Sequence, residues 1–308
     1  MSGDASSLTA RLKARYLYGE VTLTRLALYL VLALFVMYFL APIEAGLMTA
    51  FKTGPAIAGT APYAPPGPSG FTLSKWETAI AVLLGGIVNS LVFAIPATIL
   101  SATLGSLAAY GLTQIEWRGK LPFLFLFIAG IFIPYQAVLV PLSRFWAIYA
   151  PLEQWLAPVW QVPMVSPAYA DLVELVVTHT AYGIPICTLL FRSYYKGMAD
   201  DIIESARLDG ASFARIYRRI VLPLSTPMFA VTLIYQFTQI WNDLLFALIL
   251  VSSSSSPAAP VVLVLSGLGE ALEGLDFALR MAGAFVAAIP TLVVYLLFGD
   301  EFAKGVST

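Results

Sequence analysis

The sequence has few charged residues, one cysteine and one histidine, and each shortage excludes a class of site. Charged residues make up 11% of the 308 residues, whereas an average soluble domain has about 25%. The single cysteine, Cys187, excludes an internal disulfide and a cysteine cluster around a metal. The single histidine, His179, leaves little material for a histidine-rich metal site. We therefore expect no metal site on this chain.

A nucleotide-binding phosphate loop is also missing. The sequence contains no Gly-x4-Gly-Lys-Ser/Thr motif, so the chain cannot bind ATP in that way. It shows no catalytic constellation either, and we expect a protein that is not an enzyme and has no cofactor of its own. Energy from ATP, with its Mg²⁺, would have to be supplied by another chain.

Long apolar runs dominate the sequence instead. Hydrophobic residues account for 59% of the chain, and its mean hydropathy is +0.83. The runs are continuous rather than alternating, which indicates membrane helices and not a barrel. We predict an all-α polytopic membrane protein, with a polar segment over residues 1–25 and a single transmembrane domain over residues 26–308. Its six predicted spans are Leu26–Met48, Ala79–Leu112, Leu121–Leu142, Asp171–Phe191, Leu222–Val251 and Met281–Gly299.

Basic residues are distributed unevenly between the predicted loops. If the N-terminus is inside, the inner segments contain 13 of the 17 lysines and arginines, and only Lys52, Lys75, Arg144 and Arg280 lie outside. Because lysine and arginine concentrate in cytoplasmic loops, this split predicts a multi-pass protein with both termini in the cytoplasm. The expected surroundings are the lipid of a prokaryotic cell (inner) membrane, and no nucleic-acid partner is expected.

The longest strongly charged stretch begins at Glu204 and ends at Pro223. Asp201 is a candidate N-cap, with Glu204 in the capping-box position of a short helix. Gly210 stands where that helix would end with a left-handed residue, which glycine adopts without steric cost. Ser212 can cap a second helix. The local chemistry therefore predicts two short helices with a bend of small residues between them.

This stretch resembles the EAA loop of ATP-binding-cassette importer permeases. The family pattern reads Glu-Ala-Ala, three residues, Gly, nine residues, Ile, one residue, Leu-Pro, and only the middle alanine is replaced, by Ser205. The resemblance implies that residues 194–223 form a cytoplasmic coupling loop whose helix pair sits in a groove of an ATPase subunit. The residues to which it assigns coupling are Glu204, Ser205, Ala206, Asp209, Gly210, Ala211, Leu222 and Pro223.

Further motifs extend the resemblance over most of the chain from Asn89 onward. The C-terminal Phe302-Ala303-Lys304-Gly305 is similar to the Phe-Val-Lys-Gly signature of maltose-type sugar-importer permeases. Two regions depart from the pattern: residues 143–170 diverge, and the tail lacks the usual Gly-Leu-Thr-x-Gly ending. The other matching segments are Asn89-Ser90-Leu91, Ala108-Ala109-Tyr110, Ile133-Pro134-Tyr135-Gln136 and Trp241-Asn242-Asp243.

Longer matches resemble one subgroup, the permeases of glucose/mannose importers. They run from His179 to Pro185, from Phe191 to Tyr195, and from Gln236 to Asp243. This resemblance implies a glucose-type monosaccharide as substrate. The family implies three kinds of partner: a second homologous permease subunit, two ATP-binding-cassette ATPase subunits, and an extracellular or periplasmic sugar-binding protein.

Polar side chains recur in the fifth predicted span. Gln236, Gln239 and Asp243 are spaced as i, i+3 and i+7, which places them on one helical face. Such a face lines a hydrophilic pathway or joins neighbouring helices, and the sequence leaves both open. His179 likewise either binds a sugar hydroxyl or bonds to a neighbouring helix. The candidate pathway residues are His179, Tyr235, Gln236, Gln239, Trp241, Asn242 and Asp243.

Two alternatives remain open at this point. A self-contained secondary carrier would account for six spans with polar residues inside them, but not for the spacing from Gly210 to Leu222-Pro223. An importer of another solute, such as an oligosaccharide or glycerol phosphate, would share the EAA loop. A phosphorylated substrate favours basic residues within the spans, and these are scarce here.

Overall fold

The computed structural model describes residues 23–163, 165–198, 200–271 and 274–306. Most of the predicted N-terminal segment lies outside these residues, as do the side chains of the C-terminal Phe-Ala-Lys-Gly motif. The chain divides into two compact units, one ending at Leu73 and the other beginning at Ser74. The predicted boundary at residue 25 remains a prediction.

The first unit contains one long helix and a folded loop. Helix α1, Leu23–Ala50, covers the first predicted span and exposes its apolar side chains from 26 to 43, which suits contact with lipid. A short helix, α2, follows over Gly54–Gly59. Lys52 is buried, and its ammonium donates hydrogen bonds to the carbonyls of Ala61 and Pro62 at 2.7 and 3.2 Å.

The second unit is built around two long helices, α3 (Ser74–Gln114) and α7 (Ala170–Lys196), which pack along each other. Gly105 permits this close approach, because a Cβ there would collide with Cys187. Helix α3 begins five residues before the predicted span at Ala79 and continues through Pro96. At 41 residues it is about 62 Å long, so it extends well beyond the hydrocarbon region.

The third predicted span is bent instead of straight. Helix α4 (Lys120–Phe132) and the segment that begins with α5 (Tyr135–Arg144) meet at 98°. Ile133 is extended, with ψ 115°, because the ring of Pro134 disfavours a helical residue before it. The expectation of one continuous span is therefore wrong at this position.

The segment after α5 is a chain of short turns. A π-helical turn over Phe145–Tyr149 precedes helix α6 (Leu152–Trp155), and 3-10 turns occur at Val159–Gln161 and Pro167–Tyr169. Trp146 is buried and donates its indole N–H to Thr178 at 3.1 Å. It therefore ties this segment to α7.

The fifth predicted span is interrupted twice. The chain turns by 75° around Ser225, and a three-residue break at 242–244 separates α11 from α12. The prediction of one span over Leu222–Val251 is therefore wrong in its continuity. The elements of this region are α8 (Asp200–Leu208), α9 (Phe213–Ile216), a π-helical turn (Tyr217–Val221), α10 (Leu222–Leu224), α11 (Thr226–Trp241) and α12 (Leu245–Leu250).

The last elements close the second unit. Helix α13 (Val261–Gly267) packs on α3, and α14 (Phe277–Val306) packs on α11 and α3. Between them, β1 (Glu270–Ala271) pairs antiparallel with β2 (Gly274–Leu275). Two such residue pairs do not change the class, and the protein is an all-α polytopic membrane protein.

Four helices of the described residues are long and apolar enough to span a membrane. They are α1, α3, α14 and the helical stretch Pro167–Lys196, which ends with α7. The two bent pairs raise the number to six if each crosses once. Lys75 and Asp276, which both lie in predicted outer loops, form an ion pair of 2.5 Å. Which side is cytoplasmic remains a prediction.

Candidate functional site

The segment predicted to be a coupling loop, residues 194–223, contains a pair of short helices joined at a glycine bend. The N–H of Ala211 donates to Ala206 C=O at 3.0 Å, and the N–H of Gly210 donates to Arg207 C=O at 2.9 Å. These two bonds, with Gly210 at φ 77°, form a Schellman motif. Ser212 caps α9 by accepting from the N–H of Arg215. The predicted bend and second cap are therefore present.

The start of the first coupling helix differs from the prediction. Helix α8 already begins at Asp200, so Asp201 lies inside the helix and cannot be its N-cap. Glu204 accordingly does not occupy the capping-box position, and its side chain is exposed. Ser205 instead donates its hydroxyl to the carbonyl of Asp201 at 2.7 Å. The capping role that the sequence suggested for Glu204 is therefore wrong.

The inner side of the loop packs on the membrane helices. Ile203 and Ile216 are 2% and 1% exposed and belong to one core cluster with Tyr110 and Phe191. Arg207 donates to the carbonyl of Gln114 at the end of α3. Buried apolar contacts of this kind hold a short helix in place where its own hydrogen bonds would not.

A buried hydroxyl network links the loop to α3 and α7. Ser106 lies 2.6 Å from the hydroxyl of Tyr195 and 2.8 Å from that of Tyr217. Tyr110 donates to the carbonyl of Phe213 at 3.1 Å. Sequence reasoning missed this network because serine and tyrosine in apolar runs look like packing residues until the helices are placed side by side. It fixes the base of the second coupling helix.

The outer side of the loop presents apolar side chains to the surroundings. Leu208 is 84% exposed, and Ile202 and Phe213 are each about half exposed. Gly210 has nothing within 4 Å of the position that a Cβ would take. Exposed apolar groups on a loop that is otherwise charged are typical of a protein interaction surface. The predicted coupling residues Leu222 and Pro223 are exposed too, at the end of the loop.

A second polar group lies within the membrane helices. Nε2 of His179 is buried, has no hydrogen-bond partner in the described part of the chain, and lies 3.7 Å from Oδ2 of Asp243. The ring of His179 is stacked on Phe93 and meets the edge of Phe246. His179 therefore faces a neighbouring segment of its own chain without a hydrogen bond from Nε2, and both of its predicted roles stay predictions.

Asp243 does not share a helical face with Gln236 and Gln239, as the spacing predicted. Helix α11 ends at Trp241, so Asp243 lies in the break before α12. Its carboxylate accepts the backbone N–H of Phe246 at 3.0 Å, which is the contact of a helix cap. Asp243 thus begins the next helix segment.

Gln236 and Gln239 border a small cavity. Gln236 is buried, whereas Gln239 is exposed and donates to the hydroxyl of Tyr235 at 3.1 Å. The cavity has a volume of about 40 Å³, which is room for about one water molecule. Its wall also includes Tyr135, His179 and Tyr182. The two tyrosines were not among the predicted pathway residues, because each belongs to a different helix from the glutamines.

Trp241 and Asn242 lie away from this cavity. Trp241 is 1% exposed and donates its indole N–H to the carbonyl of Ala287 at 3.0 Å. Its ring is stacked on Phe237 and does not line the cavity. Asn242 bonds to the carbonyl of Thr238 at the end of α11.

Comparison with known proteins identifies relatives over the whole length. The family described as "Binding-protein-dependent transport system inner membrane component" matches residues 101–299. Xylose/arabinose import permease protein XacI of Haloferax volcanii is 50% identical over 304 residues, which are 98% of this chain and 98% of that one. Glucose import system permease protein GlcU of Saccharolobus solfataricus is 29% identical, and the match covers 90% of this chain and 91% of the relative.

A solved structure agrees in fold. A chain from a bacterial ABC transporter involved in the import of the acidic polysaccharide alginate superposes with a TM-score of 0.64. The match covers 94% of this chain and 98% of the other, at 17% sequence identity. At that identity the comparison supports the arrangement of helices alone.

Proposed function

Because the chain belongs to the family of binding-protein-dependent transport system inner membrane components, we propose that it is one of two membrane subunits of an ATP-driven sugar importer. Its relatives are permeases, so the chain is a transport subunit and not an enzyme. Residues 194–223 form the loop through which an ATPase subunit drives it. The second permease, two ATPases and a sugar-binding protein are the partners of this proposal.

The observation that carries the proposal is the two-sided coupling loop. Its inner residues, such as Ile203 and Ile216, are buried against α3 and α7, while Leu208 and Ile202 face outward. A force applied to the outward side reaches the membrane helices through packed side chains. This geometry suits a loop that transmits the movement of a partner. A self-contained carrier has no need for it.

Pentoses are the favoured substrates. The sequence resemblance predicted glucose or mannose, but that specificity is not confirmed. The name of the relative at 50% identity specifies xylose and arabinose, whereas the glucose permease is 29% identical. We infer a pentose of the xylose or arabinose type, with a glucose-type hexose as the second candidate.

Gln239 and Tyr235 are the residues that we expect to contact the sugar as it crosses the membrane. Both are exposed side chains on one side of α11, and they already bond to each other. Amide and phenol groups are neutral donors and acceptors that match sugar hydroxyls. The cavity beside them holds only about one water molecule, so this path requires the helices to move or the partner permease to complete it.

Uptake by the complete reconstituted complex tests the proposal. Proteoliposomes that contain both permeases, the ATPases and the binding protein should accumulate labelled xylose or arabinose only when ATP is present on the ATPase side. Glucose should compete weakly. Accumulation by this chain alone without ATP would contradict the importer assignment, and stronger uptake of glucose would reverse the choice of sugar only.

Membrane orientation has a separate test. A cysteine introduced as Ser212→Cys, with Cys187 replaced by alanine, should react with a membrane-impermeant thiol reagent in inverted vesicles and not in intact cells. Thr60→Cys, in a loop on the predicted outer side, is the matched control and should show the opposite pattern. The reverse result for both would place the termini outside.

A further inference from the structure

A basic cavity lies where three membrane helices meet near the coupling loop. It has a volume of about 450 Å³ and is formed at the end of α3, the start of α4 and the end of α7. Its lining includes Gln114, Lys120, Leu124, Arg192, Tyr195 and Lys196. None of these residues belongs to the proposed sugar pathway or to the outward side of the coupling loop.

The charge of this cavity is one-sided. Lys120, Arg192 and Lys196 are three cations, and among the described residues no carboxylate lines the cavity. The neighbouring acid, Glu116, accepts from Lys120 at 2.8 Å, but its side chain is 93% exposed. A solvated pair of this kind contributes little and is easily exchanged for another anion.

Arg192 has an unused hydrogen-bond donor. Its Nε is buried and has no partner among the described residues. A buried donor without an acceptor loses its hydration and gains nothing in return, so native structures rarely leave one unpaired. An anion in the cavity would lie beside this guanidinium and the ammonium groups of Lys120 and Lys196, and a small rotation of the Arg192 side chain would give its Nε an acceptor.

Backbone groups at the cavity have opposite effects on an anion. Two helices end here, and their free carbonyls would repel one. Three of the terminal carbonyls already accept hydrogen bonds: that of Gln114 from Arg207, and those of Tyr194 and Tyr195 from the N–H groups of Gly197 and Met198. Helix α4 begins at the same place without a side-chain cap, and its N-terminus favours negative charge.

The residues around the cavity suit the membrane–water interface. Trp117 is 40% exposed beside it, and tryptophan is enriched at the membrane–water interface. Leu121 and Phe125, in the first turns of α4, are 60% and 59% exposed and suit acyl chains. An apolar surface next to a group of cations matches an amphiphile and not a free solute.

We propose that this cavity binds the phosphate headgroup of an acidic phospholipid. Arg192 and Lys196 contact the phosphate. Lys120 releases Glu116 and binds the phosphate instead. The acyl chains lie along Leu121 and Phe125. Basic pockets between helices bind phosphate headgroups in this way. The inference rests on the proposed function only for the statement that the lipid comes from the cytoplasmic leaflet.

Bound lipid would stabilise the base of the coupling loop. Tyr195 forms part of the cavity wall, and its hydroxyl joins Ser106, which in turn joins Tyr217 of the second coupling segment. A headgroup that packs against Tyr195 would restrict the movement of the coupling loop relative to the end of α7. The lipid would therefore affect how movement is transmitted as well as how stable the complex is.

Native mass spectrometry of the whole importer complex tests the site. The complex is placed in phosphatidylcholine nanodiscs to which phosphatidylglycerol is added, and the fraction that retains phosphatidylglycerol is measured. Each Lys or Arg near the surface contributes about fivefold in affinity, so Arg192→Gln with Lys196→Gln should weaken the affinity for phosphatidylglycerol roughly 25-fold and lower the retained fraction accordingly. Arg118→Gln, an exposed residue of the same turn that does not line the cavity, should change it much less.

Further variants distinguish a lipid site from a folding defect and from a site for free phosphate. Arg192→Lys keeps the charge and should restore most of the retention, which excludes a folding defect as the cause. Inorganic phosphate added to the phosphatidylglycerol-loaded complex should displace the lipid only weakly if the acyl chains contribute to binding. Displacement as effective as that by added phosphatidylglycerol would mean a site for free phosphate. Equal loss in Arg118→Gln, or unchanged retention in the double variant, would overturn the proposal. Sugar uptake is not measured, so failure of the proposed function would not affect the result.

Discussion

The chain interrupts its helices at Gly210 and at residues 242–244, and the two interruptions are stabilised by different means. At Gly210 the backbone closes on itself, with two N–H groups bonded to carbonyls of the preceding turn and φ at 77°. At the second break a side chain takes this role, since Asp243 accepts the N–H of Phe246. Its carboxylate also lies 3.7 Å from Nε2 of His179 on α7.

The difference shows which bends can be changed without disturbing the core. The bend at Gly210 is exposed and local, so its conformation depends on residues close in sequence, and we propose that a partner docks there. The break at Asp243 is partly buried, and its capping carboxylate also lies next to His179 of another helix. We expect changes at Gly210 to affect coupling more than folding, and changes at Asp243 to affect both.

The largest effect is expected from Gly210→Val. A β-branched residue at positive φ costs roughly 1–2 kcal/mol, and its side chain would enlarge the bend that we propose docks in the ATPase. Gly210→Asn is the matched control, because asparagine tolerates the left-handed conformation. Co-purification of the ATPase and sugar-stimulated ATP hydrolysis should fall at least about tenfold in the valine variant, the equivalent of 1.4 kcal/mol.

The control variant decides what the result means. If Gly210→Asn retains much of the stimulation while Gly210→Val does not, the backbone conformation is the requirement. Wild-type stimulation in Gly210→Val would remove the coupling role from this bend. Membrane insertion should be unchanged in both variants, which an expression and extraction assay checks.

The next effect is expected at the second break. Asp243→Ala removes a cap, which costs about 0.5–2 kcal/mol, and leaves the start of α12 without that acceptor. Asp243→Asn keeps an acceptor for the N–H of Phe246 and removes only the charge. Thermal unfolding of the complex should show a lower midpoint for the alanine variant than for the asparagine variant. Equal midpoints would mean that the charge beside His179, and not the cap, is what matters.

A smaller effect is expected from the network that fixes the coupling loop. Tyr195→Phe removes the tyrosine hydroxyl that hydrogen-bonds to Ser106, and the loss of one such hydrogen bond costs about 1 kcal/mol. Tyr194→Phe is the matched control, since its hydroxyl bonds instead to the carbonyl of Leu224. Sugar-stimulated ATP hydrolysis should fall several-fold more in Tyr195→Phe. Equal loss in the two variants would show that the network has no special part in transmission.

The smallest effect is expected at a surface cap that resembles the one at Asp243. Asp276 accepts the N–H of Leu279 at 3.0 Å and pairs with Lys75. Partial burial opposes its ionisation, but the hydrogen bond from Lys75 and those from the backbone outweigh it and hold the pKa of Asp276 below its usual value. A lowered pKa means that the contribution is complete above about pH 4 and is lost as the pH falls further.

Asp276→Asn measures this contribution, because it keeps the cap and removes the ion pair. The free energy of unfolding should decrease by less than about 1 kcal/mol at neutral pH, and the difference from wild type should shrink as the pH falls below about 4. A difference that persisted at low pH would mean that Lys75 is not the partner that matters.

Several features could be predicted from the sequence because they depend on neighbours along the chain. The glycine bend, the Ser212 cap and the family of the protein follow from residue types at short spacings. The break at 242–244 could have been found too, since Asn242-Asp243 before an apolar run is a capping signal. The spacing of Gln236, Gln239 and Asp243 suggested one continuous helix instead, and a regular spacing does not reveal a break.

The burial of tryptophans could not be predicted in this way. Trp146 and Trp241 both donate their indole N–H groups inside the unit, to Thr178 and to the carbonyl of Ala287. Nothing in the neighbouring sequence distinguishes them from Trp155, which is 61% exposed. Whether a tryptophan meets lipid, water or another helix depends on acceptors that are distant in sequence.

The sequence by itself determined the membrane class, the approximate positions of the apolar segments, and the glycine bend and Ser212 cap of the coupling loop, because hydrophobicity, caps and a glycine act over a few residues. Only the tertiary structure decided which polar groups meet: Ser106 with Tyr195 and Tyr217, His179 with Asp243, and three cations around one cavity. The physical reason is that these contacts join different helices, and the relative placement of helices results from packing over their whole length.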